Sequence, residues 1–253
     1  MADSHRLDGQ VAIVTGAAQG IGRGIALVLA EAGAAIVIGD IQDASGTVDE
    51  IRAGGGPALG TLMDTSKPDD DRALVDLAIA EHGRLDILVN NAAIDAPSGT
   101  VWDLPDEEWE RTIAVNLSGV FYCSRAALAP MLEAGRGCIV NISSQSARQG
   151  TKGMSPAYNA SKAGVLGLTV AFAEQVTERG VRVNAVLPAL VESRDFGWSV
   201  EERAARIAPY PLGIGMPRDI GEAVRYLVSP AARWVSGTGL HITGGTQRGS
   251  SVL

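Results

Sequence analysis

The 253-residue sequence predicts an α/β fold: one domain in which helices cover both faces of a mainly parallel, doubly wound sheet. Three observations predict it. Short uninterrupted apolar runs, of which Val11-Ala12-Ile13-Val14 is the first, have the length and composition of strands buried on both faces. Apolar residues then recur at helical spacing, as Ile21, Ile25, Val28 and Leu29 do. A glycine-rich turn, Thr15 to Gly22, joins this strand to this helix. The run Gly54-Gly55-Gly56-Pro57 is too short for a linker, and apolar segments continue on both sides of it, so the chain reads as undivided over 1–253.

Taken in order, the elements carry chemistry at their ends. The turn after the first strand lets backbone approach a pyrophosphate, and the free N–H groups and dipole of the helix start attract its charge. The second strand, Ala35-Ile36-Val37-Ile38-Gly39, ends in Asp40 and Ile41. A carboxylate about 20 residues beyond such glycines accepts hydrogen bonds from ribose hydroxyls and repels a 2′-phosphate, which selects NAD over NADP. Leu59 to Met63 is a third strand, followed by Asp64-Thr65, where Asp64 is also placed to cap a helix beginning near Lys67-Pro68. Ile87-Leu88-Val89 leads into Asn90-Asn91-Ala92-Ala93. A long helical pattern from Asp106 to Glu133 is interrupted at Asn116-Leu117-Ser118-Gly119, residue types that favour other backbone states.

Cys138 to Ile142 is a fifth strand with Ser143-Ser144 at its carboxyl end, where α/β sheets place their ligands. Tyr158 and Lys162 follow, four apart on a helix and therefore on one face. A fixed positive charge beside a phenol favours the phenolate, which makes this pair a tunable acid and base. Val181 to Val186 is a sixth strand, and Pro188, Ala189, Val191 and Ser193 lie in the segment after it. Between Arg194 and Leu212 periodicity is lost and Phe196, Trp198 and Tyr210 mix with charges, the composition of a loop that carries specificity. A final strand lies within Trp234 to Gly245.

Composition narrows the function classes. A formal charge of −8 argues against nucleic acid or an anionic membrane as partner. No apolar run spans a bilayer and the first residues lack an apolar signal core, so a cytoplasmic protein is expected. His5, His82 and His241 are scattered, and no metal site is expected. Cys123 and Cys138 read as buried thiols.

The glycines at 16, 20 and 22, the Asn90-Asn91-Ala92-Ala93 run, Ile142-Ser143-Ser144 and the Tyr158/Lys162 pair together resemble the short-chain dehydrogenase/reductase family, over roughly Leu7 to Gly245. The resemblance implies a Rossmann-like fold with a seven-stranded sheet, hydride transfer between a nicotinamide cofactor and a carbon bearing a hydroxyl or carbonyl, and a homotetramer. It implies that Tyr158 is the acid or base and that Lys162 lowers its pKa and binds the ribose. Ser144, with Ser143 as the alternative, polarises the substrate oxygen, and Asn116 completes a proton relay. It further implies a nucleotide site formed by Gly16, Gln19, Gly20, Ile21, Gly22, Asp40, Ile41, Asp64, Thr65, Asn91, Ala92, Ala93, Tyr158, Lys162, Pro188, Ala189, Val191 and Ser193. The segment 190–212 would be its substrate lid.

Ala93 and Ala189 stand where the family has glycine, which predicts some loss of backbone freedom. Neither Ala18 nor Gln19 supplies the base that NADP-preferring relatives carry, in keeping with NAD. Asp95, Ser146, Gln149 and Trp198 are the expected pocket residues, and their mixed polarity fits a small hydroxylated or cyclic alcohol. Two other readings are a 3-oxoacyl-(acyl-carrier-protein) reductase and a non-catalytic NAD-binding sensor or scaffold.

Overall fold

The computed structural model describes residues 4–95, 100–149 and 154–246; the remainder of the 1–253 span lies outside the described residues. Seven strands form one sheet in the order β3-β2-β1-β4-β5-β6-β7: β1 Val11–Thr15, β2 Ala35–Asp40, β3 Ala58–Leu62, β4 Ile87–Asn90, β5 Gly137–Ile142, β6 Val181–Pro188 and β7 Gly239–Ile242. Every pairing within it is parallel, so the sheet is wholly rather than mainly parallel. The strand order reverses between β1 and β4, which opens a crevice at the carboxyl ends of those strands.

Successive residues of a strand point to opposite faces, and here each face has its own core. Ala12 and Val14 pack with Ile25, Leu29, Ile220 and Val224, which belong to α1 (Gly20–Glu31) and α8 (Pro217–Val228). Val11 and Ile13 pack with Leu74, Cys123, Met131 and Val176, from α3 (Pro68–His82), α5 (Gly119–Ala134) and α6 (Pro156–Val176). Both cysteines are buried free thiols. Asn90 spans the central strands as a brace, its Nδ2 donating to Ser124 Oγ at 2.9 Å and Asn141 Oδ1 at 2.8 Å.

The helical pattern from Asp106 is broken where Asn116 lies. α4 (Asp106–Ile113) passes into a π-helical turn, Ala114–Ser118, before α5 begins. The buried Asn116 side chain accepts from Ile94 N at 2.8 Å and donates to Ile94 O at 3.0 Å. A local helical defect thereby fixes the loop beyond β4.

Several expectations are corrected. Asp64 does not cap α3, whose N-cap is Lys67 with no side-chain hydrogen bond; its Oδ1 accepts from Ser66 N and Oγ instead. Ala93 and Ala189 carry no left-handed strain, because no described residue other than glycine has a positive φ. The aperiodic segment contains a helix, α7 (Val200–Ile207), closed at its start by a reciprocal Ser199/Glu202 capping box.

Candidate active site

A cavity of about 550 Å³ opens at the crevice, lined along its length by the ends of β1, β2, β4, β5 and β6. One end is formed by the glycine-rich turn. Gly16 has φ +67°, and a Cβ on it would stand 2.7 Å from the Ala92 backbone; one on Gly22 would collide with the Gly16 carbonyl. Asn91 fastens the turn, donating from Nδ2 to Thr15 O at 2.9 Å and Gly16 O at 2.8 Å. Gln19, the N-cap of α1, has extended backbone and makes no side-chain cap bond, and the first turn carries no acidic residue. Its first N–H groups are therefore left to an anion.

Asp40 is buried at the adjoining edge. Its Oδ2 accepts from Ala18 N at 2.8 Å and its Oδ1 from Gln42 N at 2.9 Å, which fixes the carboxylate while each oxygen keeps further acceptor capacity. These features fit a dinucleotide: uncapped amides for its pyrophosphate and a held carboxylate for a ribose diol. Gly20, Ile21, Ile41, Asp64, Thr65, Ala93, Pro188, Ala189 and Ser193 line the same cavity. Val191 does not: its side chain is buried in the core and its carbonyl accepts from Ser193 N at 2.8 Å.

At the other end the cavity reaches Ser144, Tyr158 and Lys162. Tyr158 and Lys162 lie on α6, whose start is set by Ser155 accepting from Ala157 N and by Pro156 in the first turn. Lys162 Nζ donates to Ile142 O at 2.8 Å and sits 5.8 Å from the Tyr158 ring centroid. Burial lowers the Lys162 ammonium to about 8, against the attraction of Asp95. Burial also pushes the Tyr158 phenol up to about 12; the Asp95 charge adds to this, and a hydrogen bond with Ser144 opposes it. In the protein alone burial is thus the first influence on the Tyr158 phenol. Ser143 is committed elsewhere, its Oγ donating to Lys162 O at 2.8 Å. Asn116 lies behind the wall, also donating to Ser161 Oγ at 3.3 Å.

A family model described as enoyl-(acyl carrier protein) reductase matches residues 16–247. This chain belongs to the short-chain dehydrogenase/reductase family. It is 41% identical to the cis-4-hydroxycyclohexanecarboxylate dehydrogenase of Sinomonas cyclohexanicum, covering 93% of this chain and 96% of that one. It is 38% identical to a 3-oxoacyl-(acyl-carrier-protein) reductase of Vibrio cholerae serotype O1, covering 94% of this chain and 98% of that one. The crystal structure of gox2181 superposes with a TM-score of 0.92 at 34% identity, over 97% of this chain and 98% of that chain. Membership makes the protein an oxidoreductase of a family that works with nicotinamide cofactors. Among the described residues no helix is long and apolar enough to cross a membrane, and no group of side chains could hold a metal ion.

Of the four expected pocket residues in this short-chain dehydrogenase/reductase, only Asp95 lines the cavity. Ser146 donates from its backbone N–H to Ser144 Oγ at 3.1 Å, and Gln149 lies on the same turn region outside the lining. Trp198 is turned into an aromatic pair, stacked on Phe196 with centroids 4.3 Å apart and planes at 10°. Arg194, Ile94, Arg111 and Val115 line the cavity without having been singled out by sequence. Arg194 donates to Asp95 Oδ2 at 2.7 Å. Its position directly after Ser193 was the available signal for it.

Proposed function

We propose that this protein is an NAD-dependent dehydrogenase that oxidises a small cyclic or otherwise hydroxylated secondary alcohol to the ketone. The observation that carries the reading is one cavity with Asp40 at one end and Ser144, Tyr158 and Lys162 at the other. NAD would be held by the glycine-rich turn, Asp40, Ile41, Asp64, Thr65, Asn91 to Ala93, Lys162, Pro188, Ala189 and Ser193. The bound oxidised nicotinamide supplies the hydride acceptor and a positive charge.

Tyr158 accepts the alcohol proton, and Ser144 holds the substrate oxygen beside it by a hydrogen bond. Lys162 gives one of its three N–H donors to Ile142 O and keeps the others for the nicotinamide ribose. Asn116 shapes the wall from behind through Ile94, its amide hydrogens engaged by Ile94 O and Ser161 Oγ. Asp40 favours NAD because a 2′-phosphate would meet a fixed carboxylate there rather than a cation.

The segment 190–212 acts as the substrate lid, tied to its base by Arg203, which donates to both oxygens of Glu192 at 2.9 Å. Exposed Ala160, Ala163, Gly167 and Val170 form a shallow stripe on α6, which supports a homotetramer packed through that helix. Light scattering on the purified protein tests it.

The 41% identity to a cyclic hydroxy acid dehydrogenase supports the cyclic alcohol. A second reading, reduction of a 3-oxoacyl thioester, is favoured by the 38% identity to the Vibrio cholerae reductase. Absorbance at 340 nm decides between them, with NAD and NADP run in parallel over sugars, polyols, cyclic alcohols and acyl thioesters. Alcohol turnover with NAD upholds the first reading; turnover only of the thioester with NADPH replaces it by the second.

A further inference from the structure

The lid carries one cation into the cavity, and that cation is already neutralised. Arg194 lines the cavity and donates to Asp95 Oδ2 at 2.7 Å, joining the segment after β6 to the loop after β4, 99 positions apart. The two side chains remain 62% and 58% exposed. An ion pair that wet is weak, so a better-placed anion can take the guanidinium from Asp95 at little cost.

The guanidinium is nevertheless held in place. It lies over the Phe196 ring at 5.4 Å, Phe196 stacks on Trp198, and Arg206 covers Trp198 at 4.8 Å. This alternation of two cations and two rings orients Arg194 from behind and leaves its donors facing Asp95. A planar fork oriented this way suits a carboxylate in two-point contact. Its place along the cavity is the proton-transfer end, because the Asp95 charge acts on both Tyr158 and Lys162.

We propose that Arg194 is the receptor for an oxyanion of the ligand, a carboxylate on the substrate, and that Asp95 is the internal anion that occupies it until the substrate arrives. The inference deepens the dehydrogenase reading and rests on it. It makes the substrate class a hydroxy acid rather than a neutral alcohol. Arg194 also borders a groove shared with Gly20 and Ser193, so an oxyanion could come instead from the pyrophosphate of the cofactor. The test separates the two sources.

With purified protein and NAD, kcat/KM is measured for 4-hydroxycyclohexanecarboxylate and for cyclohexanol in the wild type, Arg194→Met, Arg194→Lys and Asp95→Asn. In parallel, the NAD dissociation constant is read by tryptophan fluorescence, and the thermal shift of the NAD complex is read with 4-oxocyclohexanecarboxylate and with cyclohexanone. The wild type is expected to prefer the acid. Arg194→Met should cut that preference about tenfold or more, chiefly through KM, with Arg194→Lys intermediate. Asp95→Asn should widen the preference by freeing the guanidinium.

An acid-to-alcohol ratio unmoved by Arg194→Met overturns the proposal. So does an NAD dissociation constant that rises in Arg194→Met while the ratio holds, which assigns the cation to the cofactor phosphates. If the wild type oxidises neither alcohol, the dehydrogenase reading of the site fails for these compounds. The thermal shift still decides the receptor: an acid-specific shift lost in Arg194→Met supports it, and equal shifts with the two ketones sink it.

Discussion

Lys162 points its ammonium at the Ile142 carbonyl, 2.8 Å away, and lies 5.8 Å from the centre of the Tyr158 ring. The lysine is thus pinned by the end of β5 rather than by the phenol. The phenol in turn titrates at about 12, held up first by burial and then by the Asp95 charge. A base with so high a pKa is almost wholly protonated at neutral pH. On the dehydrogenase reading the chain's own groups would set the geometry of proton transfer, and the charge that makes the phenol a usable base would come with the cofactor.

Removing the hydroxyl tests the first half of this. Tyr158→Phe should lower kcat/KM for alcohol oxidation by roughly 10²–10⁴-fold, the usual value of a positioned acid or base. NAD affinity should stay within a few-fold, since the ring is kept. Loss of NAD binding in parallel with activity would mean that Tyr158 serves the nucleotide site rather than the proton.

The pH dependence follows from the direction in which the phenol is displaced. Alcohol oxidation needs the phenolate, so its kcat/KM should climb with pH across the neutral to alkaline range. Asp95→Asn removes a charge that raises the Tyr158 pKa and should move this limb to lower pH. A limb that stays in place, or moves up, would show that Asp95 does not act on the tyrosine.

The strands, the glycine-rich turn and the tyrosine-lysine pair were legible because each is local: a buried parallel strand needs a short apolar run, and a helix brings residues four apart together. Asp40 was legible for the same reason, as a residue at the end of a recognisable strand. What stayed hidden was pairing across long sequence distance and the effect of burial. Nothing near Arg194 in sequence names Asp95, and nothing near Trp198 shows that it stacks on Phe196 beneath Arg194 rather than facing the cavity. Whether the Tyr158 pKa rises or falls depends on how deeply α6 sinks, which is a tertiary quantity. Helices α7 and α8 were local features passed over: the Ser199-to-Glu202 box of α7 is readable without any apolar period, and α8 opens on Pro217 before Ile220, Val224 and Leu227 at helical spacing.

Asp40 gives a prediction about cofactor choice. Its carboxylate is fixed by Ala18 N and Gln42 N, so it cannot swing away from a 2′-phosphate. Asp40→Ser should weaken NAD and improve NADP together, narrowing the ratio of their kcat/KM values by at least about tenfold through lost ribose bonds and relieved repulsion. A ratio unchanged while both cofactors weaken would make Asp40 a structural clamp on the turn and remove the basis for an NAD preference.

Asp71 predicts how stability responds to pH, away from the reacting groups. It is fully buried in the first turn of α3, its Oδ2 has no hydrogen-bond partner, and its Oδ1 accepts from Thr65 Oγ1 at 3.4 Å. Burial raises its pKa from 3.8 to about 7, with hydrogen bonds from Cys123 and Thr65 opposing the rise and the Asp70 and Asp64 charges adding to it. Between these two values the folded protein holds a proton that the unfolded chain has released. Stability must therefore fall as pH rises through that window, and level off above it. A tenfold change in proton affinity is worth about 1.4 kcal/mol, so the loss by pH 8 is of order 4 kcal/mol. Asp71→Asn keeps the shape and cannot ionise, so its unfolding free energy should lack this fall. In urea unfolding from pH 4 to pH 8, the variant should gain on the wild type steadily up to about pH 7 and then run parallel to it. Parallel curves throughout would mean that Asp71 is ionised in the fold, with its charge met by water or a cation reaching α3.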